Sequence, residues 1–209
     1  MMRLISPFKN QIKSFLYKRM VFPSSNFGTG SGRHIRLHLG SGSAIIPDFI
    51  NVDILQIPGV ALRCDLSKTL PFKVESIQEC YLCHVLEHFA TDQVPIILRE
   101  LSRIMKPGAL LRVCVPDLDT IFRTYVNRIE WFSPPHNPWL GLIYGGQKDE
   151  FDFHRTGFNY QWMEYLLEEA GFAQVERYDP VEIQGIRDAS FAEEPFGVNV
   201  SLNVRAIRV

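Results

Sequence analysis

The segment Leu37-His38-Leu39-Gly40-Ser41-Gly42, followed by Ile50-Asn51-Val52-Asp53, constrains this chain's fold more than any other feature. An apolar run ends in a Gly-x-Gly turn, and a second short apolar run ends in an acid. Glycines let the backbone approach a ligand with no Cβ in the way. A carboxylate at the tip of the next strand accepts hydrogen bonds from both hydroxyls of a ribose. Together these are the means by which an open α/β sheet holds an adenosine. Only ten residues separate Gly42 from Asp53, whereas the usual spacing of about 20 leaves room for a full helix. The short gap predicts an open, helix-poor wall beside the glycine turn, and residues 1–30 are expected to help cover it.

From residue 34 the pattern alternates strand and helix. Strands are expected at 35–39, 49–54, 60–64 and 76–83, and a helix includes 92–105. That helix meets the stop signal Lys106-Pro107-Gly108. Residues 109–115 are nearly all apolar, as in a strand covered on both faces. A helix over 118–129 leads into a Pro- and Trp-containing excursion, 131–152, of the length that binding loops and lids have. Asn159 is placed to cap a helix through Ala170, and strands follow at 172–178 and 198–209. The pattern is that of one α/β domain.

Charge is distributed unevenly. No Asp or Glu precedes Asp48, so residues 1–36 are formally +7, while the remainder is acidic. The main body has no basic face of the kind nucleic acid requires, so no nucleic-acid partner is expected. Leu4, Ile5, Phe8, Ile12, Phe15, Leu16 and Met20 recur at helical spacing. Residues 1–22 therefore read as an amphipathic helix that packs on the domain or makes peripheral contact with anionic lipid. A cleaved organelle presequence has the same acid-poor, amphipathic composition. The stretch contains no apolar run of membrane-spanning length. A Ser/Gly-rich linker follows, giving a basic segment over 1–33 and a domain over 34–209.

The four cysteines are Cys64, Cys80, Cys83 and Cys114. Cys80-Tyr81-Leu82-Cys83-His84 matches the spacing of a haem attachment site and of a redox Cys-x-x-Cys. It sits where a strand runs into a helix, so ordinary buried thiols are the favoured reading. Reduced cysteines place the protein in the cytoplasm.

The motifs in their order resemble those of class I S-adenosylmethionine-dependent methyltransferases. They are Leu39-Gly40-Ser41-Gly42, Asn51-Val52-Asp53, Cys64-Asp65-Leu66, His84-Val85-Leu86-Glu87-His88-Phe89, the helix and stop over 98–108, and the strand over 110–117. Gly145-Gly146-Gln147, His154-Arg155-Thr156-Gly157-Phe158 and Asp188-Ala189-Ser190 are similar to a subgroup of small bacterial members often associated with surface-polysaccharide genes. The resemblance covers about residues 35–209. It implies an α/β, Rossmann-like methyltransferase fold with a mostly parallel central sheet, an antiparallel C-terminal strand and a shortened helix after the first strand. It also implies S-adenosyl-L-methionine as cofactor and a small-molecule or saccharide acceptor.

By the same resemblance, Leu39, Gly40, Ser41, Gly42, Asp53, Asp65, Leu66, Cys83, His84 and His88 are the cofactor-binding candidates. Asp53 is placed on the ribose and Asp65 on the adenine amino group, although Ser67 offers Asp65 a simpler role as a turn cap. An O-directed transfer is helped by a general base, and the candidates are His154, Asp117 and His88. Gln147 and Arg155 are suited to orient a polar acceptor. Trp131, Trp139 and Tyr144 either stack on a sugar or fill a local core. His84 and His88 have the spacing of a metal pair, but no third ligand stands near them in sequence, so no metal is expected. Two other functions fit the glycine turn and acid: a nicotinamide-dependent oxidoreductase and a non-catalytic S-adenosylmethionine-binding protein. The absence of a third glycine in Gly-x-Gly-x-x-Gly argues against the oxidoreductase.

Overall fold

In a computed structural model the chain is described over residues 34–127, 138–181, 183, 185–192 and 197–209, with Pro138 and Trp139 described in backbone only. The readings of residues 1–33, of Trp131 and of the Trp139 side chain lie outside these residues. Seven strands form one sheet: β1 (Arg36–Leu39), β2 (Ile50–Asp53), β3 (Leu62–Arg63), β4 (Ile77–Cys83), β5 (Met105–Pro116), β6 (Phe172–Arg177) and β7 (Ser201–Arg208). Their order across the sheet is β3-β2-β1-β4-β5-β7-β6. β1 to β5 run parallel, and β7 lies antiparallel between β5 and β6. The fold is therefore the expected Rossmann-like α/β sheet with an antiparallel C-terminal strand. The order reverses between β1 and β4, and ligands of open α/β sheets bind at that crevice, beyond the carboxyl ends of the strands.

Among the described residues four α-helices accompany the sheet: α1 (Val94–Ile104), α2 (Leu118–Asn127), α3 (Pro138–Tyr144) and α4 (Tyr160–Glu169). α1 buries Val94, Ile97, Leu98, Leu101 and Ile104, one face of a 3.6-residue period. It stops at Ile104, and Lys106-Pro107-Gly108 opens β5 rather than closing the helix. Asn159 caps α4 as expected, its side chain accepting from the Trp162 amide. The excursion after α2 is less irregular than its sequence suggests. It contains α3, whose Leu142 and Ile143 pack against buried Ile121 and Val200.

No helix separates β1 from β2. A single amide stands in for one. Asn51 Oδ1 accepts from the Ile46 N–H at 3.0 Å and faces His38 Nδ1 at 3.1 Å. Its Nδ2 donates to the carbonyls of Ile46 and Phe49 at 3.0 and 3.2 Å. Every hydrogen-bonding position of the side chain is used, so the connection's backbone is satisfied without a helical ladder. Ile46 and Phe49 can then pack on Tyr81, with Ile183 and Ile186 beside them.

Candidate active site

The first four strands end in the predicted ligand-contacting residues, all on one side of the sheet. Gly40 follows β1 at φ +66°. A Cβ there would collide with Val85 just beyond β4, so this glycine is required by close packing as well as by its backbone. Gly42, at φ +49°, meets nothing within 4 Å in the direction a side chain would take. It presents bare backbone to open space, which is the cradle a cofactor chain needs.

Asp53 ends β2 and is buried. Its Oδ2 accepts from the Gly42 N–H and its Oδ1 from the Leu55 N–H, each at 2.8 Å. Each oxygen keeps a further lone pair for a diol. Asp65 follows β3, where its Oδ1 accepts from the Ser67 amide at 2.9 Å and the Ser67 hydroxyl at 2.7 Å. The turn-cap role is thus real, and it uses only one of the two oxygens.

A cavity of about 780 Å³ joins Gly40, Gly42, Asp53, Asp65, Leu66, His84 and His88 to a charged segment over residues 148–152 and Arg155. That size falls in the range of small-molecule sites. Leu39, Ser41 and Cys83 do not line it. Leu39 and Ser41 are buried behind the turn, and the Ser41 amide donates to Val52 O.

His84 leaves β4 at φ +53°, a left-handed conformation costing a side chain about 1–2 kcal/mol. The turn carries its ring between two partners. Ser201 Oγ lies 2.9 Å from Nε2 and Glu87 Oε1 lies 3.2 Å from Nδ1. Ser201 has one hydroxyl proton and donates it to Ala189 O at 2.8 Å. It therefore accepts from His84 Nε2–H, while Nδ1–H faces the carboxylate, which makes the ring an imidazolium. Burial alone lowers the His84 pKa, but the Glu87 carboxylate outweighs it and raises it to about 9. Burial pushes the Glu87 pKa up, and the pairing with His84 more than reverses this and holds it low.

His154 arrives from 66 residues beyond His88 through a set of backbone ties. Asp152 folds residues 145–152 into a turn, accepting from the amides of Gly146 and Lys148. The amides of Arg155 and Thr156 both donate to Glu87 O, at 2.7 and 3.2 Å. His88 Nδ1 bonds Phe153 O at 3.2 Å, and His154 Nδ1 bonds Leu142 O at 2.9 Å. The two rings meet edge-on with centroids 5.0 Å apart. Burial lowers the His154 pKa.

Asp117 is not brought to the cavity. It is buried at the end of β5, where Oδ2 accepts from Thr120 Oγ1 at 2.9 Å and pairs with Arg177 at 3.1 Å. Its visible work is to start α2 and anchor β6. Gln147 is exposed, and Tyr144 is half exposed on α3.

The cysteines are all free thiols. Cys80 and Cys83 lie three apart on β4, which turns them to opposite faces of the sheet, and burial raises the pKa of Cys64 to about 11.

Residues 26–113 match the sequence family described as a methyltransferase domain. No curated protein sequence matches the chain. Among solved structures, a SAM-dependent methyltransferase from Archaeoglobus fulgidus superposes with a TM-score of 0.54 at 15% identity, covering 85% of this chain and 87% of that one. A SAM-dependent methyltransferase from Thermotoga maritima, described as a possible histamine N-methyltransferase, gives 0.53 at 19% identity over 85% and 83%. The 1,6-didemethyltoxoflavin-N1-methyltransferase of Burkholderia thailandensis, solved with its substrate and S-adenosylhomocysteine, gives 0.51 at 15% identity over 89% and 74%. The bare glycine turn, the acids at the ends of β2 and β3, and the switch point between β1 and β4 fit that cofactor. Residues 26–113 are thus similar in sequence to a methyltransferase domain, and the fold is that of S-adenosylmethionine-dependent methyltransferases.

Proposed function

We propose that this enzyme methylates a hydroxyl of a small polar or glycan-type acceptor. The observation that carries the reading is the continuity of the cavity from the glycine turn to the charged wall over 148–152 and Arg155. In the assignment proposed here, the Gly40–Gly42 backbone cradles the cofactor's amino-acid end, Asp53 takes the ribose hydroxyls and Asp65 Oδ2 takes the adenine amino group. The bound cofactor supplies an electrophilic methyl group. The protein's own contribution is to orient the acceptor, exclude water and receive a proton. Lys148, Asp149, Glu150 and Asp152 supply donors and acceptors of both signs, which suits a polyol better than an apolar amine. His88, which lines the cavity, and His154, whose ring meets it edge-on, are the groups assigned to accept a proton. The reading also assigns the domain over 34–209 to the cytoplasm, with the basic segment before it making peripheral contact with anionic lipid.

Transfer of labelled methyl groups from S-adenosylmethionine to fractionated cell envelope tests this, with Asp53→Ala as control. Label that survives strong alkali in a carbohydrate fraction, as an ether does, supports it. Label confined to protein amines or lost as an ester rejects it.

A further inference from the structure

Glu87 presents an anomaly that the cofactor site does not explain. Its carboxylate is almost completely buried; Oε1 meets only His84 Nδ1, at 3.2 Å, and Oε2 has no hydrogen-bond donor among the described residues. The His84 contact to Oε1 is an ion pair rather than an aligned hydrogen bond. Buried carboxylate oxygens are costly to leave without a partner. His88 and His154 stand close by, and one ligand atom from each of the three residues lies within 4.8 Å of the others.

The histidines are arranged as ligands are. Each ring directs Nδ1 at a backbone carbonyl, Phe153 O for His88 and Leu142 O for His154. A carbonyl only accepts, so Nδ1 carries the proton and the Nε2 lone pair is free. Fixing the tautomer through the other nitrogen in this way is what orients metal-bound imidazoles. Two imidazoles and one carboxylate are a borderline donor set that selects divalent transition metals over magnesium or calcium. Four ligands at about 2.1 Å in a tetrahedron lie about 3.4 Å apart, so closing the triad needs movements of the order of 1 Å.

We propose that Glu87, His88 and His154 bind one divalent transition-metal ion, with an open coordination position toward the cavity. Three protein ligands and an exchangeable fourth position are the pattern of a reactive rather than a structural site. His88 lines the cavity and the segment carrying His154 forms its wall, so the open position faces the space assigned to the acceptor. His84 Nδ1 meets the carboxylate at Oε1, 3.2 Å away, and holds its position. The site itself does not depend on the acceptor's identity, and with a metal bound His88 and His154 serve as ligands in place of the proton-accepting role given above. Only the further step, that an acceptor hydroxyl occupies the open position, rests on the O-methylation reading.

The full chain, freed of metal with a chelator and dialysed, is titrated with Co²⁺ and followed by its visible absorption. The expected result is one Co²⁺ per chain, displaced by Zn²⁺, with a spectrum that shifts when azide is added as a small ligand for the open position. His154→Ala and His88→Ala should each weaken binding at least tenfold, while Glu87→Gln tests the carboxylate where that variant folds. Stoichiometry well below one, or wild-type affinity in either histidine variant, overturns the site. A spectrum blind to azide overturns the open position. Calorimetry of S-adenosylmethionine binding on the same metal-free protein reports on the cofactor site separately, so a failure there leaves the metal result to be judged alone.

Discussion

The Gly42 N–H donates to Asp53 Oδ2 at 2.8 Å, so the glycine turn after β1 and the acid at the end of β2 are one hydrogen-bonded unit. The Leu55 N–H on the other oxygen makes the carboxylate a clasp between two loops. A ligand held by this carboxylate, as proposed above, would share its two oxygens with the backbone of both loops.

Asp53→Asn keeps the shape but leaves only one acceptor oxygen for two backbone donors. We expect S-adenosylmethionine to bind about 10- to 100-fold more weakly by calorimetry, as loss of charge-assisted hydrogen bonds implies. We also expect about 1–3 kcal/mol of lost stability from the orphaned amide. A variant with wild-type affinity would remove Asp53 from the cofactor site.

Gly40→Ala meets Val85 and a left-handed backbone together. The expected cost is about 2–4 kcal/mol, seen as a fall in Tm of roughly 5–15 °C for a chain of this size. Val85→Ala in the same chain should restore the part due to collision and leave the part due to φ. If the second substitution restores nothing, Val85 is not the obstacle.

Asn51→Ala removes the amide that serves Ile46, Phe49 and His38. Three buried backbone groups lose their partner, so a loss of about 3–5 kcal/mol is expected. Hydrogen exchange should localise the loosening to residues 43–50. Uniform acceleration across the sheet would instead mean that Asn51 supports the whole domain.

The Tyr81 hydroxyl donates to Asp188 Oδ2 at 2.6 Å, tying β4 to a segment 107 residues away. Burial pushes the Asp188 carboxyl up, but hydrogen bonds from Tyr81 and Ser190 outweigh this and hold its pKa below the usual value. A depressed carboxyl stabilises the fold above its unfolded pKa of about 3.9, and that stability is lost as pH falls through the lower folded value. Tyr81→Phe should therefore cost about 1–3 kcal/mol near neutrality, and the gap between the urea midpoints of variant and wild type should narrow below pH 4. A gap that stays constant with pH would show that the bond does not depend on the ionised carboxylate.

The sheet was legible because its signals are local. Strand, glycine turn and acid lie within a few residues of one another, and Asn159 announces its helix by itself. The triad of Glu87, His88 and His154 was not legible. Two members are adjacent, but the third stands 66 residues on, and only backbone ties from Arg155 and Thr156 to Glu87 O bring it near. Backbone contacts leave no mark on residue identity. Asp117 misled for the opposite reason. A lone acid at the end of a strand has the same sequence signature whether it meets a ligand or, as here, Thr120 and Arg177. The amide of Asn51 was likewise hidden, since the sequence shows that a helix is missing but not what replaces it.

The helix-free connections also bear on how the chain assembles. β1, β2 and β3 all lie within residues 36–63, joined by loops of ten and eight residues. Short loops close with little entropy lost, and tens to hundreds of nanoseconds suffice to close them. β1 meets β4 across 43 residues, pairing Arg36 with Glu79, and β5 meets β7 across more than 80, pairing Pro116 with Ser201. The glycine turn and the two acids proposed to hold the methyl donor are thus local to one stretch of the chain and emerge early in synthesis. The histidine-bearing wall opposite depends on distant segments arriving late, so errors of folding should damage acceptor handling before they damage cofactor binding.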